Sequence, residues 1–142
     1  MEILFICRDA LENSVIANLV MAMEARKAGM EIGVLFTEEA LAGLGGGALA
    51  WAPLLADRDT RITVAKKAKE KGIPVISNRD SRETDVKPLM KAANDAGVGL
   101  FACPAWSDLL NLRGRLPAEV QEIDLPMALR LLSEAKQVIG TF

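Results

Sequence analysis

The chain opens on an apolar run with no position left for solvent. After Glu2, residues 3–7 of "EILFIC" are all apolar, and continuous rather than alternating hydrophobicity is what a strand covered on both faces requires. Residues 31–36, "EIGVLF", and 98–103, "VGLFAC", repeat the pattern. All three read as buried parallel strands.

Residues 11–29 follow a different rhythm. Val15, Leu19 and Ala22, flanked by Ile16, Val20 and Met23, recur at helical spacing, and the run closes on Arg26, Lys27 and Gly29 as a helix end should. After the second strand, Thr37 is a candidate cap, with Glu38 and Glu39 suited to the positive end of a helix. Residues 59–72 predict a helix and 73–77, "IPVIS", a short strand that Pro74 restricts to an edge or a strand start. Residues 83–97 predict a helix capped by Asp85, with Pro88 tolerated in its first turn, and residues 104–112 predict another. The tail adds a short alternating strand at 119–124, a helix opened by Pro126, and a final apolar "VIGTF". Met21, Met23 and Met90 fall on helices and are assigned to the core. The alternation predicts an α/β fold: three layers, α/β/α, around a mostly parallel sheet of about five strands. At 142 residues, one domain spanning 1–142 is expected.

One apolar stretch does not fit a strand or a regular helix. Residues 40–56, "ALAGLGGGALAWAPLLA", carry no charge but are diluted by four glycines and a proline. They fall short of the roughly 20 apolar residues a bilayer span needs. The reading is a loop or loosely helical, partly exposed segment, whose apolar surface suits contact with another subunit. Within it, "GLGGGA" matches the G-x-G-x-x-A spacing of dinucleotide sites, but six residues separate it from the preceding strand and no acidic residue closes a second strand about 20 positions on. A loop that closes over the strand ends, or packs beside them, fits better.

Composition narrows the chemistry. There is no histidine and no tyrosine, which removes the commonest general base and the commonest metal ligand. No metal site and no cofactor are expected. Net charge is −2 and aromatics are 4%, so the basic, stacking surface of a nucleic-acid partner is absent. Two cysteines, Cys7 and Cys103, are too few for a disulfide framework, and "MEILFICRD" lacks the basic region of a signal peptide. A cytoplasmic protein with no membrane partner is expected.

In open parallel sheets, ligands bind outside the carboxyl ends of the strands. Those ends are Cys7, Arg8 and Asp9; Thr37; Asn78, Arg79 and Asp80; and Cys103, Pro104, Ala105 and Trp106. If Pro104 is the first helical residue, Cys103 takes the cap position usually given to Ser, Thr, Asp or Asn. A sulfur there faces the free amides of the first turn, which favour a thiolate. A cysteine ending an apolar strand is equally at home in the core. Cys7 is a second thiol, able to pair with Cys103 if their strands are neighbours. Arg8, Arg79 and Arg82 follow strands, but Asp80, Glu83 and Asp85 favour local ion pairs around the last two. Arg79 is retained with Arg8 and Asp9 as a candidate for holding an anion. Trp106 shields the thiol or simply packs.

"EILFIC", "AGMEIGVLFTEEAL", "AGVGLFACPAWSDLLNL" and "ALRLLSEAKQVIGTF" together resemble the DsrE/DsrF-like family of small sulfur-relay proteins, over residues 1–43 and 97–142. The resemblance implies a three-layer α/β/α fold and a homo-oligomer, trimer, hexamer or dimer. It also implies that Cys103 in "LFACPAW" accepts sulfane sulfur as a persulfide from a donor protein and passes it to an acceptor, a sulfurtransferase-like role. Two other readings stand beside it. One is a module that binds a small anion or nucleotide in the same crevice, with Cys103 only a lining residue. The other is a structural or regulatory subunit working through Leu44, Leu49 and Trp51. The P-x-x-x-T/S-x-x-C arrangement of peroxiredoxins is absent around both cysteines.

Overall fold

The computed structural model describes residues 1–140. Five parallel strands form one sheet: β1 (Ile3–Cys7), β2 (Ile32–Phe36), β3 (Gly99–Ala102), β4 (Gln121–Glu122) and β5 (Gln137–Ile139), in the order β4-β3-β2-β1-β5. The crossovers carry α1 (Glu12–Lys27), α2 (Glu38–Leu44), α3 (Arg58–Glu70), α4 (Val86–Asp95), α5 (Pro104–Leu109) and α6 (Leu125–Glu134). This is the three-layer α/β/α arrangement expected from the pattern. The last two residues of the apolar tail, Thr141 and Phe142, lie outside the described residues.

Strand alternation divides the core. Phe5, Cys7, Val34, Phe36, Leu100 and Ala102 point to one face, where α1 packs on β1 and β2 and against α4. Leu4, Leu35 and Phe101 point to the other, where Ala128 of α6 and Ile123 join them. The second face is built around an aromatic ring lying on glycines. A Cβ on Gly99 would sit 2.6 Å from Phe101 Cε2, and one on Gly33 3.0 Å from the same atom.

The helices start where the sequence supplies acceptors. Asp57, Asp85 and Asp124 cap α3, α4 and α6 by accepting the amides of Thr60, Lys87 and Met127. Thr37 and Cys103 occupy the cap positions of α2 and α5, but neither side chain makes a capping hydrogen bond. At α2, Thr37 N–H instead donates to the Cys7 carbonyl, tying the helix to the end of β1.

Three expectations need correction, and a fourth is refined. Residues 73–77 are not a strand of the sheet. Val75 is 1% exposed, so its hydrophobicity marks burial. The segment's backbone pairs locally: Asp85 N–H donates to Val75 O, Ser77 N–H to Glu83 O, and a single antiparallel bridge joins Ile76 to Thr84. Residues 40–56 are, as expected, a partly exposed and only partly helical segment. Ala40 and Leu41 are buried within α2, the glycine run turns the chain at Gly46, whose φ of +114° suits glycine, and Leu54 and Leu55 are exposed. Met21 is exposed, because it lies off the buried stripe formed by Val15, Leu19 and Ala22. The helix expected over 104–112 is shorter, ending at Leu109 before Asn111 takes a left-handed turn at φ 54°. Among the described residues, no helix is long and apolar enough to cross a membrane.

Candidate functional site

The strand order sets where a ligand can enter. From β1 the chain crosses to β2 on one side, whereas the last crossover carries it past the whole sheet to β5 on the other. Outside the carboxyl ends of β1 and β5 the connections diverge, and this is where open α/β sheets hold ligands. A crevice of about 680 Å³ lies there. Its walls come from the residues that end β1 (Cys7, Arg8 and Asp9), from α1, from the start of α2, from Trp106 on α5, and from Gly140 after β5.

The structure therefore brings Cys7, Arg8, Asp9 and Trp106 to one crevice. Arg79 is not among its lining residues, because the segment before it never joins the sheet and so does not deliver it to the strand-end edge. Cys103 is half-buried at the end of β3, packed against both core clusters, and also does not line the crevice; Trp106, three residues on, does. Ser107, one turn along α5 from Cys103, is buried and its hydroxyl has no partner.

The two cysteines have opposite circumstances. Cys7 is 2% exposed, and burial pushes its thiol up to about 12, with the Asp9 charge adding to the effect. It stays protonated under ordinary conditions and is a poor nucleophile. Nor are the two thiols a disulfide pair. Cys7 is in register with Phe36 and Phe36 with Ala102, so β2 stands between the two cysteines. Two strand spacings amount to about 10 Å, beyond the roughly 7 Å that a disulfide spans between Cα atoms.

Arg8 is already engaged. Its Nε donates to Glu38 Oε2 at 2.6 Å, and the carboxylate holds the guanidinium above its usual pKa. Both are exposed enough for solvent to weaken the pair. Glu38 itself has φ 52°, a conformation that costs a non-glycine residue on the order of 1 kcal/mol. The Arg8 carbonyl accepts the Ala40 amide, so the chain leaving β1 is fixed to the first turn of α2.

Asn18 is the residue that sequence reasoning missed. It is 3% exposed and lines the crevice; its Nδ2 donates to the Ser14 carbonyl, while Oδ1 is buried with no partner. A buried acceptor left unpaired costs roughly 1–3 kcal/mol. The signal was present in the sequence, since Asn18 falls in phase with Val15, Leu19 and Ala22 as the polar member of an apolar stripe. The crevice thus combines an open acceptor, a paired cation and an indole wall, next to a half-buried thiol.

No family model and no curated protein matches the sequence. Among solved structures, the chain is similar to the ychN protein from E. coli, at 11% identity and a TM-score of 0.57, over 99% of this chain and 98% of that one. That likeness is one of fold, the three-layer α/β/α arrangement around a parallel sheet.

Proposed function

We propose that the protein carries sulfane sulfur on Cys103. The observation that carries this reading is the contrast between its thiols: Cys7, although it ends in the crevice wall, is 2% exposed and held protonated, whereas Cys103 is partly exposed at the end of a parallel strand, one helical turn from the crevice residue Trp106. The DsrE-like fold supports the same reading. In the transfer, the Cys103 thiolate attacks the outer sulfur of a donor persulfide; a new S–S bond forms, the donor's S–S bond breaks, and the donor leaves as a thiolate. An acceptor thiolate then takes the outer sulfur and regenerates Cys103. The exchange is redox-neutral, and the proton first lost by Cys103 goes to solvent, as the chain has no histidine. The test is catalysed movement of isotopically labelled sulfur from a low-molecular-weight persulfide to a dithiol. Wild-type protein accelerates it, Cys7→Ala retains the effect, and Cys103→Ser abolishes it; equal rates with Cys103→Ser would refute the proposal.

A homo-oligomer belongs to the same proposal, with its contact moved away from residues 40–56. Leu125, Leu129 and Leu132 recur at i, i+4 and i+7 on α6, all exposed, beside Leu109, Leu110 and Val138. Together they leave on the order of 500 Å² of apolar surface uncovered, the scale of the apolar part of an interface that buries about 800 Å² per partner. A second copy of this chain is the occupant that this area fits. Leu129→Asp is expected to lower the mass measured by light scattering to that of one chain; an unchanged mass places the contact elsewhere.

One observation favours the rival reading of a binding module: the unpaired Oδ1 of Asn18 in the crevice wall. A donor-bearing small molecule would satisfy it. In that case, ligand-induced thermal stabilisation survives Cys103→Ser and disappears in Asn18→Leu.

A further inference from the structure

A second cavity, of about 590 Å³, lies apart from the strand-end crevice. It is enclosed by Glu12 at the start of α1, by Trp51 and its neighbours, by the first two turns of α3, and by the turn at residues 80–84. The chain builds these walls deliberately close. Leu11 and Ala50 form a parallel bridge, Glu12 N–H donates to the Ala50 carbonyl, and Ala52 N–H donates to Asn13 Oδ1 at 3.0 Å.

Three arginines and three acids face this space, and they are not equally committed. Arg82 is held by Asp80 through two hydrogen bonds, at 3.1 and 3.0 Å. Glu12 accepts the Thr84 hydroxyl at 3.1 Å, and burial biases its carboxyl toward the neutral form. Glu83 is exposed. Arg58 and Arg61, one turn apart on α3, make no ion pair among the described residues, and the Nε of Arg61 is buried without any acceptor. Arg61 acts on Glu12 only through space, and its buried Nε still lacks the acceptor that a carboxylate or phosphate oxygen supplies. Trp51, Leu49 and Ile62 add apolar lining to the same cavity, with the Trp51 indole hydrogen-bonded to Glu12.

We infer that this cavity is a second binding site, for a small ring compound bearing a carboxylate or phosphate. The oxyanion sits on Arg61 and Arg58, and the ring lies against Trp51. A volume of this size suits one such molecule.

The chain's two tryptophans make the site separately observable, since Trp106 lies in the other crevice. Trp106→Phe leaves Trp51 as the only indole, and phenyl phosphate is the probe. Its titration is expected to give a saturable change in Trp51 fluorescence, weakened roughly tenfold by Arg61→Met, whose side chain keeps much of the length without the charge. Arg58→Gln, a change at the exposed start of α3, provides a second variant that leaves the fold intact, and it too is expected to weaken binding. Inorganic phosphate should bind less tightly than phenyl phosphate, and Trp51→Phe protein, reporting through Trp106, should show no change. The inference is overturned by the absence of saturation, by equal affinity in both arginine variants, by equal affinity for inorganic phosphate, or by a response from Trp106.

Discussion

The burial of Cys7 makes the fold sensitive to alkali in a way that one substitution should remove. Its thiol is raised from 9.0 to about 12 in the folded chain, first by desolvation and then by Asp9. The protonated form is therefore favoured by folding. This stability is fully present below about pH 9, where both states hold the proton, and is lost as pH rises toward 12, because the unfolded chain ionises and the folded one does not. The loss approaches roughly 1.4 kcal/mol for each pH unit. At pH 10.5 it amounts to about 2 kcal/mol, a large share of the 5–15 kcal/mol typical of a domain. Urea unfolding of wild type and Cys7→Ala between pH 8 and 10.5 isolates the effect, since lysines titrate alike in both proteins and there are no tyrosines. Cys7→Ala is less stable at pH 8 through the lost sulfur, but its stability should fall less with pH, by about 2 kcal/mol over the range. Parallel pH curves for the two proteins would refute the assignment of Cys7 as a sealed, protonated core thiol.

Other substitutions probe the remaining elements. Gly99→Ala drives a methyl against the buried ring of Phe101 and should cost about 1–3 kcal/mol by thermal or urea unfolding; a cost under about 0.5 kcal/mol would mean the ring moves freely. Cys103→Ser offers α5 the capping oxygen that the sulfur does not supply, so stability should hold or rise by up to about 1 kcal/mol while sulfur transfer is lost. Asp124→Ala removes the acceptor for Met127 N–H at the start of α6 and should cost about 1 kcal/mol in urea unfolding.

The parallel core was legible because its strands are buried on both faces: residues 3–7, 31–36 and 98–103 needed no alternation to be recognised. Caps of Asp type, such as Asp85, were legible for a similar local reason. Residues 73–77 misled because the same hydrophobicity that marks a strand also marks any buried segment, and Pro74 already argued against a sheet interior. The neighbour relations of strands are set by crossover topology rather than by local pattern. Hence neither the interposition of β2 between Cys7 and Cys103 nor the absence of Arg79 from the crevice could be read from the chain. Residues 40–56 bury Ala40 and Leu41 of α2 while exposing Leu54, and α6 carries an exposed leucine stripe beside the one that packs on the sheet, which its periodicity alone did not single out. Cys103 stands at the cap position that the sequence indicated, yet its sulfur makes no capping bond and is free of the helix end.

That freedom is tested most directly by loading the native protein with a low-molecular-weight persulfide, trapping the products by alkylation, and mapping the added sulfur by peptide mass spectrometry. One extra sulfur on the Cys103 peptide, none on the Cys7 peptide, and its loss on addition of an acceptor thiol are the results expected. An unmodified Cys103, or sulfur carried equally well by the Cys103→Ser protein, would contradict the assignment of Cys103 as a sulfur carrier.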